Sequence, residues 1–572
     1  MKYLVKRLVQ VVYLIISING FGQTVCTGNF LFRTQSRVDS FNILYPGCSI
    51  LDGSLTILGS NVTNLDSLYG IKKVNRDLII NYTKNLKSIV GLSGVDTILG
   101  RLVIGQNDSI YYLSSFNKLK YTRTVEITNN HKLVLISGFD SIFTCENLNI
   151  TGNSRLKELS GFGNISIVGK LGVSGNKRME QLIGFDNLKS CDDMAISYND
   201  SLKFIAAFND LLNLKSLFIF RNNLLEINAF SKLKSISGDC QFSSLSNLEK
   251  MSEMDSLEYI GGFFQFSNLG RLKTLPKFKN LKRVDGSLHI SECGSLNAVS
   301  AFDELRVIKG QFLMRNNSNI TSINGFRTLD SCLYNFVIDG GNKLKVIDGF
   351  DKLKYIDASL TLNAFDLESI GGFWSLHEIR GDQNGDSTQW INFTLQTGKV
   401  KSISEFSNLK KVRGILLNRN QELDNIVGFD NVDTSYIKFI KFANNEKLTL
   451  CKSDFLCSYL ENPNHEANLS GNAPGCNTRE EILASCTSGT QQWHATITAN
   501  GVYPNPCTLN TTLWFEGWEA DFDLTLYNSM GSVVYKGAQH NPVSLPVSVG
   551  GMYFYKVQAA GKSGSGAVVV TE

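Results

Sequence analysis

Apolar residues recur along most of the chain in a fixed order that repeats about every 23 residues. Each repeat begins with a short alternating stretch, such as Leu102-Val103-Ile104, and alternation of period two is typical of a strand. An Asn usually follows the second apolar position of that stretch, and a Gly-Phe or Xaa-Phe step comes near the end of the repeat. Because one such unit cannot bury its own apolar residues, the pattern predicts stacked coils whose strands pair in a parallel sheet.

The Phe step marks and counts the coils. Successive markers lie 22 to 24 residues apart, except for one interval of 33 residues between Phe373 and Phe406. With Ile71 and Leu92 extending the series backwards and Met254 replacing Phe once, the markers predict about 16 coils. The Phe markers are Phe116, Phe139, Phe162, Phe185, Phe208, Phe230, Phe278, Phe302, Phe326, Phe350, Phe373, Phe406 and Phe429. The predicted fold class is mainly β: a leucine-rich-repeat or β-solenoid with a parallel sheet over residues 51–450, followed by a small β-sandwich-like domain.

The recurring Asn residues are predicted to be structural. A buried Asn at a turn both donates and accepts hydrogen bonds, so it satisfies backbone groups of the next coil. This predicted Asn ladder consists of Asn107, Asn130, Asn153, Asn176, Asn199, Asn222, Asn317, Asn420 and Asn445.

Two irregularities interrupt the pattern. In the middle of the array other residues occupy the position of the ladder Asn: Leu245, Leu269, Cys293, Gly341 and Phe365. These substitutions indicate either drift at a position that tolerates apolar packing or a reshaped turn that carries a binding feature. The long interval before Phe406 contains Asp382, Asn384, Asp386 and Trp390, and loops that leave a solenoid often carry function. These four residues are a tentative binding loop. Their spacing loosely resembles a calcium loop but lacks the downstream ligands, which favours a plain solvated loop.

The N-terminus predicts export. Lys2, Lys6 and Arg7 precede an apolar run, and Gly20-Phe21-Gly22 supplies small residues for cleavage, so residues 1–22 are predicted to be a signal peptide. The run is too short to span a bilayer comfortably, and no later segment is apolar enough to do so. Removing these three basic residues from 56 leaves 53 against 52 acidic residues, which argues against nucleic acid as a partner.

The 12 cysteines are placed unevenly, and Cys26 and Cys48 flank the start of the array. In an exported protein these are disulfide candidates, and Cys26–Cys48 is the safest pair, within an N-terminal cap over residues 23–50. Four more lie in a Cys-rich cap over residues 451–486; they allow three pairings, which spacing alone leaves open, and a zinc site is disfavoured. These four are Cys451, Cys457, Cys476 and Cys486. The cysteines inside the coils are predicted to be buried thiols: Cys145, Cys191, Cys240, Cys293 and Cys332.

Residues 487–500 form a predicted linker, and residues 501–572 read as a small β module. Its predicted strands are Thr512 to Phe515, Phe522 to Tyr527, Ser532 to Tyr535, Gly551 to Val557 and Ala567 to Val570. The module also carries a set of motif residues: Tyr503, Pro504, Asn505, Pro506, Gly531, Gly551 and Tyr553. On these motifs the module resembles the C-terminal sorting domain of the type IX secretion system. The resemblance implies contact with that secretion machinery, removal of the tail at the surface, and either attachment or release of the mature protein.

The array resembles the leucine-rich, receptor L-domain-like repeats of secreted bacterial surface proteins. The resemblance is carried by the Leu-Xaa-Ile-Xaa-Xaa-Asn-Xaa-Xaa-Leu units and by the Gly-Phe-Asp steps within 138–142 and 184–188, and it covers residues 24–486. This type of repeat indicates the fold much more specifically than it indicates a ligand. The localisation it implies is secreted, either extracellular or on the outer-membrane surface.

The chain offers no catalytic motif. Its 6 His include no pair at metal-binding helical spacing, and Gly561-Lys562-Ser563 lacks the first glycine of a phosphate loop. We therefore expect no enzyme activity, no cofactor and no metal. The leading hypothesis is a surface module for binding or adhesion to an unknown protein or glycan. One alternative is a passive surface-layer component. Another is a glycan-binding or glycan-degrading protein using the insertion at 380–392 with Trp374 and Trp390.

Overall fold

The computed structural model of the chain describes residues 24–381 and 391–487, together with parts of the C-terminal segment. Those parts are residues 502–503, 507–508, 512–515, 521–528, 533–545, 547, 551–559 and 562–571. Two compact units divide between Thr487 and Ser488. The predicted signal peptide and residues 488–500 of the predicted linker lie outside the described residues.

The first unit is a parallel β-solenoid of about 18 turns, which confirms the predicted fold class. Its main sheet contains 30 strands that pair in parallel from coil to coil. The main-sheet strands are Thr24–Thr27, Phe30–Phe32, Cys48–Asp52, Leu55–Leu58, Lys73–Val74, Leu78–Asn81, Thr97–Gly105, Tyr121–Thr128, Thr144–Thr151, Ile167–Ser174, Ser190–Ser197, Asn213–Leu214, Ser216–Phe220, Ser235–Ile236, Cys240–Ser243, Tyr259–Ile260, Phe264–Ser267, Arg283–Val284, Leu288–Ser291, Val307–Ile308, Phe312–Arg315, Ser331–Cys332, Phe336–Gly341, Tyr355–Ile356, Leu360–Ala364, Glu378–Ile379, Phe393–Thr397, Gly414–Asn418, Phe439–Ala443 and Glu466–Ser470.

Short strands and helical turns close each coil. Two-residue strands form three smaller parallel sheets on another side of the coils. Their members are Tyr112–Leu113, Leu135–Ile136 and Glu158–Leu159; Gln181–Leu182, Phe204–Ile205, Glu226–Ile227 and Lys250–Met251; and Ala298–Val299, Ser322–Ile323, Val346–Ile347 and Ser369–Ile370. Single 3-10 turns span Asp66–Leu68, Val90–Leu92, Ser404–Phe406 and Thr434–Tyr436.

The Phe markers form columns of stacked rings inside the solenoid. The six rings from Phe116 to Phe230 stack with centroids 5.0 to 5.9 Å apart, and the seven from Phe278 to Phe429 stack at 5.2 to 6.4 Å. Met254 is buried between the two columns. The marker therefore recurs because each ring packs on the equivalent ring of the next coil, which buries area that a single coil would expose.

The Asn residues form a hydrogen-bonded ladder beside these columns. The Asn153 carboxamide oxygen accepts from the backbone N–H of Asn130 at 3.0 Å, and its nitrogen donates to the Ile127 carbonyl at 2.8 Å. The same pattern recurs at all nine predicted positions, each of which is buried. Thr83 and Thr397 extend the ladder, since the hydroxyl and the N–H of each donate to the next Asn. The ladder thus satisfies backbone groups that would be costly to bury alone.

The interrupted part of the ladder differs from the sequence assignment at Phe365. Leu245, Leu269 and Cys293 are fully buried at their positions. Phe365, in contrast, is 53% exposed, and Ala364 pairs with the ladder residue Thr397 of the next coil. The turn after this strand is one residue shorter than usual, so the expected Asn position falls on Ala364 and the Phe365 ring projects outward.

Both predicted caps contribute strands to the main sheet. These strands explain why the solenoid has about 18 turns, whereas the Phe markers predict about 16 coils. The N-terminal cap also holds helices Gln35–Asp39 and Phe41–Leu44, and the C-terminal cap holds Asp454–Glu461 and Arg479–Thr487. Disulfides join Cys26 to Cys48, Cys451 to Cys476 and Cys457 to Cys486. The structure therefore selects one of the three pairings that the sequence leaves open at the C-terminal end.

The thiols inside the coils are buried and unbridged in the described part of the chain: Cys145, Cys191, Cys240, Cys293 and Cys332. Burial raises the pKa of Cys145 and Cys293 to about 12 and that of Cys332 to about 11. Because the thiolate is the reactive form, these buried thiols stay protonated and inert at neutral pH.

The second unit is a mainly antiparallel β module with its own small apolar core. One sheet contains Val502–Tyr503, Thr512–Phe515 and Val543–Ser544. The other contains Cys507–Thr508, Phe522–Tyr527, Val533–Gln539, Gly551–Ala559 and Lys562–Thr571. The last strand begins at Lys562, five residues before the predicted start at Ala567, because it pairs with Gly551–Ala559 along its length.

Replacing Asn153 with Ala should destabilise the solenoid by about 3 kcal/mol, because the Asn130 N–H and the Ile127 carbonyl lose a buried partner. The free energy of unfolding in urea measures this effect. Asn149→Ala in the same coil is the matched control, since Asn149 lies on the partly exposed side of the same strand. A cost for Asn153→Ala no larger than that of the control would contradict the ladder.

Peptide mapping of the purified chain tests the disulfide pairing of the C-terminal cap. Proteolysis of the purified, non-reduced chain followed by mass spectrometry should recover peptides linking Cys451 to Cys476 and Cys457 to Cys486. Each link closes a loop of 25 or 29 residues, which restricts the unfolded chain. A peptide linking Cys451 to Cys457 or to Cys486 would show that the pairing is wrong.

Candidate functional site

The outward side of the main sheet carries a continuous row of side chains, one from each successive coil. The central residue of each alternating stretch points away from the core, and strand pairing aligns it with its equivalents. In order the row is Leu31, Thr56, Ile79, Val103, Glu126, Asn149, Gly172, Ala195, Phe218, Gln241, Gln265, His289, Leu313, Val337, Thr361, Thr394, Leu416, Lys441 and Asn468. We call this set the sheet row.

The sheet row carries very little charge. Along its full described length only Glu126 and Lys441 are charged Asp, Glu, Lys or Arg side chains. His289 also belongs to the row, and burial lowers its pKa, so it is neutral at pH 7. The ring of Phe263 packs against the His289 ring edge-on at 4.6 Å, which accounts for that burial.

Aromatic side chains concentrate near the middle of the sheet row. Phe218 belongs to the row, and Phe220 on the same strand lies edge-on to Tyr198 at 5.6 Å. The Arg221 guanidinium lies 5.4 Å from the centre of the Tyr198 ring and donates a hydrogen bond to its hydroxyl at 2.9 Å. Tyr198 is 44% exposed. Aromatic rings and an arginine in a charge-poor surround form the composition that is enriched at protein interfaces.

Several charged residues on other sides of the solenoid form ion pairs across coils. Lys203 pairs with Glu180 at 3.1 Å and Lys250 with Glu226 at 3.0 Å. Such exposed pairs contribute little stability. The sheet row differs from those surfaces, because Glu126 and Lys441 are its only Asp, Glu, Lys or Arg side chains along the described coils.

A cleft lies beside the exposed ring of Phe365. Two adjoining cavities of about 710 Å³ and 500 Å³ share Phe365 and Gln421 as lining residues. Other residues that line the two cavities include Asn363, Glu368, Gln396, Lys399, Lys401, Glu405, Arg419, Glu422 and Glu446. We call this the Phe365 cleft.

Local backbone geometry creates the Phe365 cleft. The Gly398 N–H donates to the Phe365 carbonyl at 2.9 Å. A Cβ at position 398 would lie 2.2 Å from that oxygen, so only glycine permits this close approach of the two coils. The short turn after Ala364 then places the Phe365 ring at the cleft wall and out of the core.

Three of the seven charged side chains that line the cleft form ion pairs. Lys399 contacts Asp366 at 3.0 Å, and Lys447 hydrogen-bonds both oxygens of Glu422 at 2.7 Å, which lowers the pKa of Glu422. Glu405 differs, because burial raises its pKa to about 7 and its Oε2 is buried without a hydrogen-bond partner. A carboxyl in this state is partly protonated at neutral pH, so it can both donate and accept a hydrogen bond.

The residues predicted as sites fall into separate groups. The tentative binding loop, Asp382, Asn384, Asp386 and Trp390, lies outside the described residues. Trp374 is half-buried, and its carbonyl accepts from the Asn408 side chain at 2.6 Å. No pattern in the sequence points directly to Glu405 or Gln421 as site residues. The one usable signal was the departure from Asn near Phe365, which we interpreted chiefly as drift.

Of the sorting-signal residues, Pro504, Asn505, Pro506 and Gly531 also lie outside the described residues, whereas Gly551 opens a strand and Tyr553 packs in the core of the second unit. Within the described ranges, no group of three or more His, Cys, Asp or Glu side chains is placed to hold a metal ion. No described helix has the length and apolarity needed to cross a membrane.

Glu405 should make the stability of the solenoid depend on pH. Its pKa is about 7 in the folded chain and 4.5 ordinarily, so the folded chain favours the protonated carboxyl. The stability that this protonation contributes is therefore fully present below pH 4.5 and is lost as the pH rises through 7. Glu405→Gln should therefore raise stability on the order of 2 kcal/mol at pH 8 and change it little at pH 4. Urea unfolding at both pH values measures this, with Glu461→Gln on the exposed side of a cap helix as control. Equal effects at the two pH values would contradict the shifted pKa.

Comparisons with known proteins identify the C-terminal unit. Residues 501–571 match the family described as "Secretion system C-terminal sorting domain". No curated protein sequence matches the chain. Among solved structures, the chain is similar to a leucine-rich repeat protein from Bacteroides ovatus ATCC 8483, with 15% identity, a TM-score of 0.29 and coverage of 61% of this chain and 91% of that one. It is also similar to a leucine rich cell surface protein from Faecalibacterium prausnitzii A2-165, with 13% identity, a TM-score of 0.19 and coverage of 67% and 87%.

The motif residues in the tail and the family match agree on the same segment. The chain thus combines a parallel β-solenoid with a type IX secretion sorting domain at residues 501–571, which indicates interaction with that secretion machinery and export to the cell surface or outer membrane.

Proposed function

We propose that the exported chain is a non-enzymatic binding module that contacts a protein partner through the sheet row. The observation that carries the proposal is the in-register, nearly uncharged row with Phe218, Phe220, Tyr198 and Arg221 near its middle. Aromatic and arginine side chains dominate binding energy at protein interfaces, and depletion of charge marks the interface core. A row with one side chain per coil, about 4.8 Å apart, suits contacts spread over many points.

The proposal extends to the route of the chain. Residues 1–22 would direct it to the periplasm, and the C-terminal domain would engage the type IX machinery for passage to the surface. The caps over 23–50 and 451–486 would then protect the ends of the binding array. A passive surface-layer role is the competing interpretation, and the cluster of Tyr198, Phe218 and Phe220 near the middle of the sheet row favours binding over it.

The test uses the exported chain on whole cells and on a panel of purified extracellular-matrix proteins. Saturable binding to a purified protein is expected, and Phe218→Glu or Phe220→Glu should weaken it at least about tenfold, the cost of introducing a charge into an apolar contact. Lys232→Ala is the control, since Lys232 forms an ion pair with Asp210 at 2.7 Å, away from the sheet row.

Circular dichroism and thermal unfolding establish that each variant is folded. Binding that is unaffected by both Phe substitutions in folded protein would place the interface elsewhere. The absence of binding to every cell type and matrix protein in the panel would favour the passive surface-layer role.

A further inference from the structure

The Phe365 cleft combines an exposed aromatic ring with hydrogen-bonding groups that no coil needs for its own structure. Phe365 is 53% exposed, although the Phe markers of the repeat are buried. The side-chain amides of Gln396 and Gln421 line the adjoining cavities next to this ring. A cavity of about 710 Å³ lies in the size range of small-molecule sites, about 300 to 1,000 Å³.

The charge arrangement in the cleft favours an uncharged ligand. Lys399 is paired with Asp366, Glu422 with Lys447, and Glu368 with Lys345 at 3.2 Å. The remaining lining charges are of both signs: Lys401 and Arg419 are basic, and Glu446 is acidic. In total three basic side chains face four acidic ones, and one of the acidic ones, Glu405, is partly protonated at neutral pH, so a strongly anionic or cationic ligand would meet little excess of the opposite charge.

Glu405 adds a carboxyl group to the lining of the larger cavity. Its Oε2 is buried without a hydrogen-bond partner, which is costly unless a ligand or a proton compensates it. At neutral pH this carboxyl can donate to one hydroxyl and accept from another. A ligand rich in hydroxyl groups matches this capacity, as it also matches the amides of Gln396 and Gln421.

We propose that the Phe365 cleft binds a neutral carbohydrate, with the Phe365 ring stacked on the apolar face of a sugar ring and with Gln421 and Glu405 hydrogen-bonded to its hydroxyls. A pyranose presents C–H groups on one face and hydroxyls around its edge, and the cleft offers an aromatic wall with polar groups beside it. A flat apolar ligand would leave these polar groups unsatisfied, whereas the sugar satisfies both kinds of surface.

This site is distinct from the sheet row. None of the residues that line the two cavities belongs to the sheet row, and Phe365 lies in the turn directly after its strand, whereas the aromatic centre of the sheet row lies at residues 198–221. The carbohydrate proposal therefore holds or fails separately from the proposed protein partner.

The experiment presents the purified full chain to an array of neutral and anionic oligosaccharides and then titrates the neutral gluco-, manno- and galacto-oligosaccharides by calorimetry. Binding to a neutral oligosaccharide is expected, with at least tenfold weaker affinity for Phe365→Ala and Gln421→Ala. Phe365→Trp should retain binding, because a larger aromatic face preserves stacking. Phe143→Ala is the matched control: Phe143 is 56% exposed and lies in a different coil.

Thermal unfolding of each variant separates loss of the site from loss of the fold, and an exposed ring should be removable without unfolding the chain. The proposal is overturned if the folded chain binds no neutral oligosaccharide at millimolar concentration. It is equally overturned if the affinity for the neutral oligosaccharide is unchanged in both Phe365→Ala and Gln421→Ala. It is also overturned if the ligand whose binding these two variants abolish is a peptide or an anionic glycan and not a neutral oligosaccharide.

Discussion

The in-register parallel pairing of successive coils is the constraint on which the rest of the solenoid depends. Each strand residue faces its equivalent in the next coil, so a residue type that recurs in the sequence becomes a column in the structure. The Phe rings stack, the Asn side chains bond along a ladder, and the outward residues align in the sheet row. A shift of one residue would place the apolar set outside, which is why the register is so strongly specified.

The same constraint decides what the sequence could predict. The strand, Asn and Phe positions recur with a fixed period, and stacking makes each occurrence support the others, so the solenoid and its internal columns are readable from the pattern. The departures are not. The turn after Ala364 is one residue shorter than in most coils, so the side chain at the ladder position is that of Ala364 and not that of Phe365. Counting residues from the strand could not detect this shift, because Ala and Phe are both apolar. Disulfide partners likewise depend on distances between chain segments that spacing does not encode.

The candidate sites follow the same division. The sheet row follows from the regular repeat, so its residues can be listed from the sequence once it is known which strand positions face outward. The Phe365 cleft is a product of irregularity, since it needs the shortened turn, the glycine at 398 and the buried carboxyl of Glu405 together. None of these three departures indicates a cavity by itself. Only the stacking of the coils brings them into one place.

The ends of the array show what happens where the stacking partner is missing. An interior coil is covered on both sides, and its cysteines stay buried, protonated and unbridged in the described part of the chain. The terminal coils are covered on one side only, and there the chain supplies short helices and the disulfides Cys26–Cys48, Cys451–Cys476 and Cys457–Cys486. Covalent links thus stand where packing from a neighbouring coil is unavailable. A chain exported to an oxidising environment can form such links, so the compartment that the sorting domain indicates is also the one in which these caps are stable.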